Sequence, residues 1–590
     1  MKRIYMDIKN SNAIFERYWL RFLLLFVGLD LFNQFLVIPI FRWVTTYILQ
    51  AGAIPFISYQ NVLTILTTHT LVAIALIVEL VLLVLIIYLQ FAFMLVAIKK
   101  INSSFKLILK NTWQAIRHIR AASLLLLLVY FILIVPFADI VFRTPLLAKI
   151  QIPEFILDYM TRNIWLSLIL IVFYVIVFIL GIRWIYTLPL MIFNKMKTRQ
   201  AIKQSWQKTR HGNWWQVLST LLVIGLMAAV FLFICFLIVY GMQLLWDLLP
   251  NIFAMGFANF NLFLVQLVSL VVSVWSSVVG LLFVLKNVDV EVTLQSRRTS
   301  KAVIVWSSII FTLSAVSAVV NNQFYLNGQT LKHPATISHR GVNNKNGVQN
   351  TIAALKKTAK LHPTFVEIDL HETKDNQFVV MHDENLLKLA GINKMPKDLT
   401  LKQLTKITIS EDGHKAKIAS FDQYLKAAKK LNQRLLIEIK TTPRDSKMML
   451  ERFNKKYGAL VLKRKYQVQS LDYSVIERLH QINPKIYTLY IQPYNFTYPQ
   501  SVADGYSMEY STLNNDFIWQ AHIKGDSVYA WTVNESSIMR KMMFEGVNGI
   551  ITDDLSTLKK TIHEFEDEHS YASRVLNYIL VLPQPYSSER

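Results

Sequence analysis

The stretch from Ser338 to Asp383 holds the side chains best suited to chemistry: S-H-R-G at 338–341, Q-N-T at 349–351, V-E-I-D-L-H at 366–371 and V-V-M-H-D at 379–383. Side chains in a strand alternate between faces, so Glu367, Asp369 and His371 share one. Two carboxylates and an imidazole are costly to bury unpaired. A hard metal ion held by oxygen ligands, with histidines nearby to move protons, accounts for the set economically.

The elements that must position these residues are short apolar runs separated by lysine-rich helical segments. Candidate strands are 335–340, 365–371, 434–440, 466–471, 486–491, 505–510, 528–533 and 548–552, with helices expected over 350–360, 420–431 and 473–482. Eight strands alternating with helices predict a parallel (β/α)₈ TIM barrel, with 379–383 as an excursion after the second strand. Active sites of such barrels lie at the C-terminal ends of the strands. His339, Glu367, Asp369, Glu438, Ser470, Trp531 and Asp553 all fall at such ends.

The N-terminal part is different. Hydrophobic residues make up 53% of the 590-residue chain, and the excess lies before residue 321. Mostly apolar runs near 19–41, 71–98, 121–143, 164–193, 215–246, 259–285 and 302–320 are each long enough to cross a hydrocarbon core of about 30 Å. Seven spans follow, the first interrupted by Asp30, Asn33 and Gln34. Lys and Arg crowd the segment before the first span and the 99–120, 194–213 and 286–301 loops, whereas the alternate loops are poor in cations. By the positive-inside rule the N-terminus is cytoplasmic and everything after about 321 is extracellular. No signal peptide is evident.

Loop bias accounts for much of the net charge of +24, so no nucleic acid is needed to explain it. The remainder, as at Lys455, Lys456, Lys463, Arg464 and Lys465, is either a solvated face or an attraction to anionic lipid or a polyanionic wall polymer. The single cysteine, Cys235, lies in a span, so the outer domain is expected to stand without disulfides, as suits a bacterial surface protein. Asp30, Glu79 and Arg183 within the spans read either as an internal ion pair or as a polar cleft for a lipid head group. The 42–70 connection reads as an interfacial segment. V-L-N-Y-I-L-V-L at 575–582 is too short to span and is expected to dock on the bilayer or on the barrel.

The outer half resembles the glycerophosphodiester phosphodiesterases, metal-dependent TIM-barrel enzymes. The resemblance rests on H-R-G at 339–341, N-T at 350–351, E-I-D at 367–369, T-K-D at 373–375, H-D at 382–383, E-I-K at 438–440, W-T-V-N at 531–534 and G-I-I-T-D at 549–553. The hydrophobic half looks like the membrane domain of some Gram-positive members. The resemblance implies His339 and His382 as general acid and base, and Glu367, Asp369 and Glu438 as ligands of one divalent cation, Ca²⁺ or Mg²⁺. It further implies that Arg340 and Lys440 contact the phosphate, and that the glycerol 2-hydroxyl attacks to give a cyclic phosphate that water opens. Gln349 departs from the pattern, which usually has a glutamate that braces the H-R-G arginine. A neutral amide accepts from Arg340 with less charge assistance.

The expected layout is a membrane domain over 1–320, a linker over 321–334, a barrel over 335–560 and a tail over 561–590. Trp531 reads as a wall against glycerol or as barrel packing, and His371 as a functional or a rim residue. The expected activity is hydrolysis of glycerophosphodiesters, lipid head groups or glycerol-phosphate polymers such as lipoteichoic acid, by a multi-pass protein of the cell membrane. The alternative is a non-enzymatic membrane sensor or transporter that uses its barrel for binding.

Overall fold

The computed structural model describes residues 2–52, 54, 62–117, 129, 154–161, 163–292, 301–327, 333–493, 498–567 and 570–580. Six helices among them are long and apolar enough to cross a membrane: Ile4–Ala51, Thr70–Lys99, Ile164–Asn194, Asn213–Trp246, Asn251–Asn287 and Ile304–Leu326. They coincide with six of the seven expected spans; the remaining one, 121–143, lies outside the described residues. Their side chains are largely exposed, as a lipid-facing surface requires. Asn251–Asn287 is the exception, with 61% of its apolar window buried. It is the hub on which the neighbouring spans pack, and polar side chains lock it to them. Asn261 donates to Gln243 at 2.8 Å, and Gln266 donates to Asn322 at 2.8 Å.

The first span is 48 residues long, more than twice what a hydrocarbon core requires. A π-helical turn at Asn33–Val37 interrupts its regular bonding without ending the helix, and there Asn33 accepts from Gln90. Beyond the turn the helix Ile38–Ala51 occupies the start of the 42–70 connection. Asp30, Glu79 and Arg183 do not pair with one another. Asp30 accepts from Gln34 at 3.3 Å, Glu79 accepts from Thr45 at 2.5 Å, and Arg183 donates to the Thr209 carbonyl. Arg183 lies in the last turn of its helix, too near the end to meet acids on other levels.

The C-terminal half is a closed barrel. β1 (Ala335–Ser338) and β2 (Phe365–Glu372) are followed by the antiparallel β3 (Phe378–Val380), a separate hairpin of β4 (Thr408–Glu411) and β5 (His414–Lys417), and the short β6 (Ala419–Ser420). Then come β7 (Leu435–Ile439), β8 (Gln467–Ser470), β9 (Thr488–Gln492), β10 (Gly505–Glu509), β11 (Ser527–Trp531) and β12 (Gly549–Thr552). The parallel order β1-β2-β7-β8-β9-β10-β11-β12 closes where β12 pairs with β1. All eight expected strands are present, and β3 is the excursion after the second. Most strand residues are buried on both faces, as expected when helices cover the outside and side chains fill the lumen. Ile337, Phe365, Leu436, Leu489, Tyr529 and Ile551 form one of these packed layers.

Two helices run across the expected domain limits. The last span runs to Leu326, past the limit at 320, and helix Leu555–Asp567 runs past the limit at 560. The C-terminal segment also docks on the spans. Helix Tyr571–Leu580 packs against the spans Asn213–Trp246 and Asn251–Asn287, and Asn577 on it also accepts from Arg540 of the barrel. Its amphipathic pattern was legible, but its partners also include polar groups in and just after the spans. Asp247 Oδ2 accepts from Ser570 Oγ at 2.7 Å and from the Ala572 N–H at 2.8 Å, capping the helix from another part of the chain. Gln266 donates to Tyr578 Oη at 2.7 Å, and Tyr571 Oη donates to Asn251 at 2.8 Å.

Candidate active site

β1 ends at Ser338, and His339–Gly341 make one tight 3₁₀ turn. Arg340 has φ 51° and Gly341 φ 70°. A Cβ on Gly341 would lie 2.9 Å from Tyr424 Oη, so both dihedral and space call for glycine. The turn directs the Arg340 N–H to Glu367 Oε2 at 2.7 Å. On β2, Glu367 and Asp369 share a face, and strand register sets Asp369 beside Glu438 of β7. All three are buried, with carboxylate oxygens within 4.8 Å of one another.

The surroundings answer these charges in part. Lys440 Nζ lies 2.8 Å from Glu438 and 3.3 Å from Asp369, and Arg340 Nε lies 3.8 Å from Asp369. Asn350 donates to Asp369 Oδ2 at 2.7 Å and accepts its N–H at 3.1 Å, while Thr351 caps the following helix. The N-T motif therefore seats a carboxylate and starts a helix. Burial opposes ionisation of Asp369, but Lys440, His382, Arg340 and the Asn350 amide hold its carboxyl well below the usual range. Burial and the charges of Asp369 and Glu438 push Glu367 well above its ordinary value, and burial raises Glu438 against the pull of Lys440. Two cations thus leave three acids short of positive charge. Three close, buried oxygen donors with that deficit fit a hard divalent ion.

Each histidine carries a carboxylate at Nδ1: His339 lies 2.7 Å from Asp553, and His382 lies 2.8 Å from Asp383. That arrangement leaves Nε2 as the nitrogen for proton transfer. Asn534 donates to Asp553 Oδ2 at 3.0 Å and accepts the Asp553 N–H at 2.9 Å. Burial would raise Asp553, but His339 and the Asn534 hydrogen bond hold it well below the carboxylate range. Burial takes His382 down to about 4 against the pull of Asp369 and Asp383.

The structure brings His339, Arg340, Glu367, Asp369, Glu438 and Lys440 together, with His382 near enough to act on Asp369. Trp531, half-buried, donates from Nε1 to the Ser507 carbonyl at 2.9 Å. Ser470 donates to the Ile439 carbonyl at 2.7 Å and is a strand tie. His371, at the C-terminal end of β2, is buried, with Nε2 3.1 Å from the His382 carbonyl. Thr373 and Asp375 of T-K-D build the turn between β2 and β3, Thr373 donating to Asp375 at 2.6 Å. Sequence reasoning missed the pairing of Asp553 with His339, the support from Asn534, and Glu411. Arg340 Nη1 donates to Gln349 Oε1 at 2.8 Å, and Gln349 in turn donates from Nε2 to Glu411 Oε1 at 2.6 Å and from N to Oε2 at 3.0 Å.

Residues 8–322 match the membrane domain of glycerophosphoryl diester phosphodiesterase, and residues 339–557 match the glycerophosphoryl diester phosphodiesterase family. YhdW of Bacillus subtilis (strain 168), assigned as a glycerophosphodiester phosphodiesterase, is 30% identical over 230 residues, 37% of this chain and 93% of its own. A human lysophospholipase D is 25% identical over 279 residues, 39% of this chain and 86% of its own. Among solved structures, a glycerophosphodiester phosphodiesterase from Parabacteroides distasonis is 25% identical, covers 40% of this chain and 98% of its own, and gives a TM-score of 0.34. The match over most of the membrane half, joined to one over nearly the whole barrel, sets aside the non-enzymatic alternative. The chain belongs to the glycerophosphoryl diester phosphodiesterase family, in the form that carries its own membrane domain, and is an enzyme that hydrolyses glycerophosphodiester bonds.

Proposed function

We propose that the barrel cleaves glycerophosphodiesters with His339 and His382 as proton-transfer groups, at the extracellular face of the membrane. The observation that carries this reading is the placement of two histidine–carboxylate pairs beside a buried three-carboxylate cluster. Members of the family generally use a divalent metal ion. Here Glu367, Asp369 and Glu438 would hold Ca²⁺ or Mg²⁺, which supplies positive charge for the phosphate oxygens when bound. Arg340 and Lys440 add charge and orient the phosphate. His382, kept neutral by burial, takes the proton of the glycerol 2-hydroxyl as that oxygen attacks phosphorus. His339, oriented by Asp553, gives a proton to the departing alkoxide. The cyclic phosphate that results is opened by water with the two proton transfers reversed, and Trp531 walls the glycerol.

The human relative's name, lysophospholipase D, supports a lipid head group as substrate alongside soluble glycerophosphodiesters and glycerol-phosphate polymers such as lipoteichoic acid. The deciding experiment assays purified full-length protein on glycerophosphoglycerol, phosphatidylglycerol and lipoteichoic acid, with and without chelator. Chelator should abolish turnover, and Glu438→Gln should lose most activity while the fold survives. Wild-type-like turnover of that variant in chelator would remove the metal assignment. For the membrane side, a cysteine at Lys106 should be shielded from an impermeant thiol reagent in intact cells while one at Lys345 reacts. The reverse labelling would place the site in the cytoplasm.

A further inference from the structure

We infer that the outward face of helix Asn515–Lys524 is a lipid-contact surface, and that the barrel lies on its flank against the bilayer. Arg21 donates to the Ile101 carbonyl at 3.0 Å and pairs with Asn102, just beyond Lys99 at the end of the second described span. This marks one boundary of the hydrocarbon core. Arg42 lies twenty-one residues further along the same helical run, about 31 Å at 1.5 Å per residue, against a core of about 30 Å. Arg42 therefore sits at the opposite boundary. Glu79, twenty residues before Lys99 on the neighbouring helix, is held by Thr45, which lies within one turn of Arg42. The two helices place this boundary at the same level.

Arg42 forms an ion pair with Asp516 in the first turn of Asn515–Lys524, and thus fixes that helix at head-group depth. Trp519 and Ile523 follow Asp516 at spacings of three and seven, on the same helical face. Phe517, Ile518 and Ala521 take the buried face. Between residues 335 and 567, Trp519 and Ile523 are the two most exposed large apolar side chains among the described residues, at 64% and 63%. Lys524 is exposed at the end of the helix, its ammonium 4.5 Å from the Tyr498 ring centroid. A tryptophan, an isoleucine and a lysine at this depth match the interface between acyl chains and phosphates.

The same flank meets the membrane half at two further places. Tyr325 of the last span packs on Phe544 with ring centroids 4.9 Å apart, and Arg540 bonds Asn577 of the docked C-terminal helix at 3.3 Å. Asp516 follows the C-terminal end of β10 whereas Phe544 precedes β12, so the contacts run along the barrel from its site-bearing end to the opposite end. A lipid surface is the occupant that continues this footprint.

The test uses full-length protein with Cys235→Ser, reconstituted in vesicles of phosphatidylcholine and phosphatidylglycerol. An environment-sensitive fluorophore is attached at Trp519→Cys, at Ile523→Cys or, as control, at Lys429→Cys on the helix after β6. Lipids spin-labelled near the head group should quench the first two labels severalfold more than the third. Quenching at 519 and 523 no greater than at 429 overturns the inference, as does blue-shifted emission there without quenching, which indicates burial against protein. The readout is independent of turnover, so failure of the proposed reaction leaves it untouched.

Discussion

At the scale of single residues, the site is a set of carboxylates each assigned a different partner. Asp369 is satisfied by cations and an amide, Glu367 is left short of positive charge, and Asp553 and Asp383 each face a histidine. His339→Ala and His382→Ala should each cut turnover by roughly 10²–10⁴-fold, the range of a positioned proton transfer, with smaller effects on KM. Near-normal turnover in either variant would return that histidine to a structural part. Gln349 stands between Arg340 and Glu411, so the carboxylate missing next to Arg340 is present one hydrogen bond away. Glu411→Gln should lower kcat/KM about tenfold, equivalent to about 1.4 kcal/mol, because the amide loses a charge-assisted partner. Gln349→Glu in that background should recover most of the loss, and no recovery would show that Glu411 only fastens its hairpin. The motif histidines and acids were legible because a short polar run at a strand end is conspicuous. The pairing of Asp553 with His339 and the part played by Glu411 were not, because the partners lie 214 and 62 residues apart in the chain.

At the scale of elements, the site depends on loops that follow β2 and β7, and Glu372 fastens both. This buried carboxylate at the end of β2 pairs with Lys397 of the loop between β3 and β4 and, at 2.5 Å, with Arg452 beyond β7, and it accepts from Ser446 Oγ at 2.6 Å and Ser446 N at 2.8 Å. Burial alone would raise its pKa, but Lys397, Ser446 and Arg452 take it below 4.5. A carboxyl depressed in the folded state stabilises it fully above the unfolded value and loses that contribution as pH falls through the folded one. Removing one side of a buried charged cluster costs about 3–5 kcal/mol. Glu372→Gln should therefore open the 384–399 segment to limited proteolysis at neutral pH, and the wild type should approach that susceptibility only in acid, below the ordinary glutamate range. Equal protection of the two proteins at neutral pH would show that packing alone holds the loops. The strands were legible because eight apolar runs with polar ends fit one architecture. The contact of the C-terminal helix with the spans was not legible, because its sequence shows only an apolar stripe, whereas Asp247 just after one span and Asn251 and Gln266 in the next hold it.

At the scale of the whole molecule, periodicity within each half says nothing about how one half sits on the other. That relation rests on side chains such as Arg42 and Asp516, which look like ordinary surface charges in the sequence. A barrel lying along the bilayer needs more than a tether, and several spans with a docked terminal helix provide a broad seat. The orientation separates two kinds of substrate. A soluble glycerophosphodiester reaches the mouth by diffusion, whatever the flank touches. A lipid must be met where its head group lies, and the Asp516 end of the flank is the site-bearing end of the barrel. Replacing Trp519→Asp together with Ile523→Asp exchanges two apolar contacts for two charges repelled by anionic lipid. Each buried side chain of that size contributes about 1.5–3 kcal/mol when fully removed from water, so partial contact still favours the seated position measurably. The double variant should keep turnover on glycerophosphoglycerol within about twofold of wild type, while turnover on phosphatidylglycerol in vesicles should fall about tenfold, equivalent to about 1.4 kcal/mol. Equal losses on both substrates would point to a disturbed barrel. Unchanged turnover on the lipid would mean that the spans alone bring the site to its substrate.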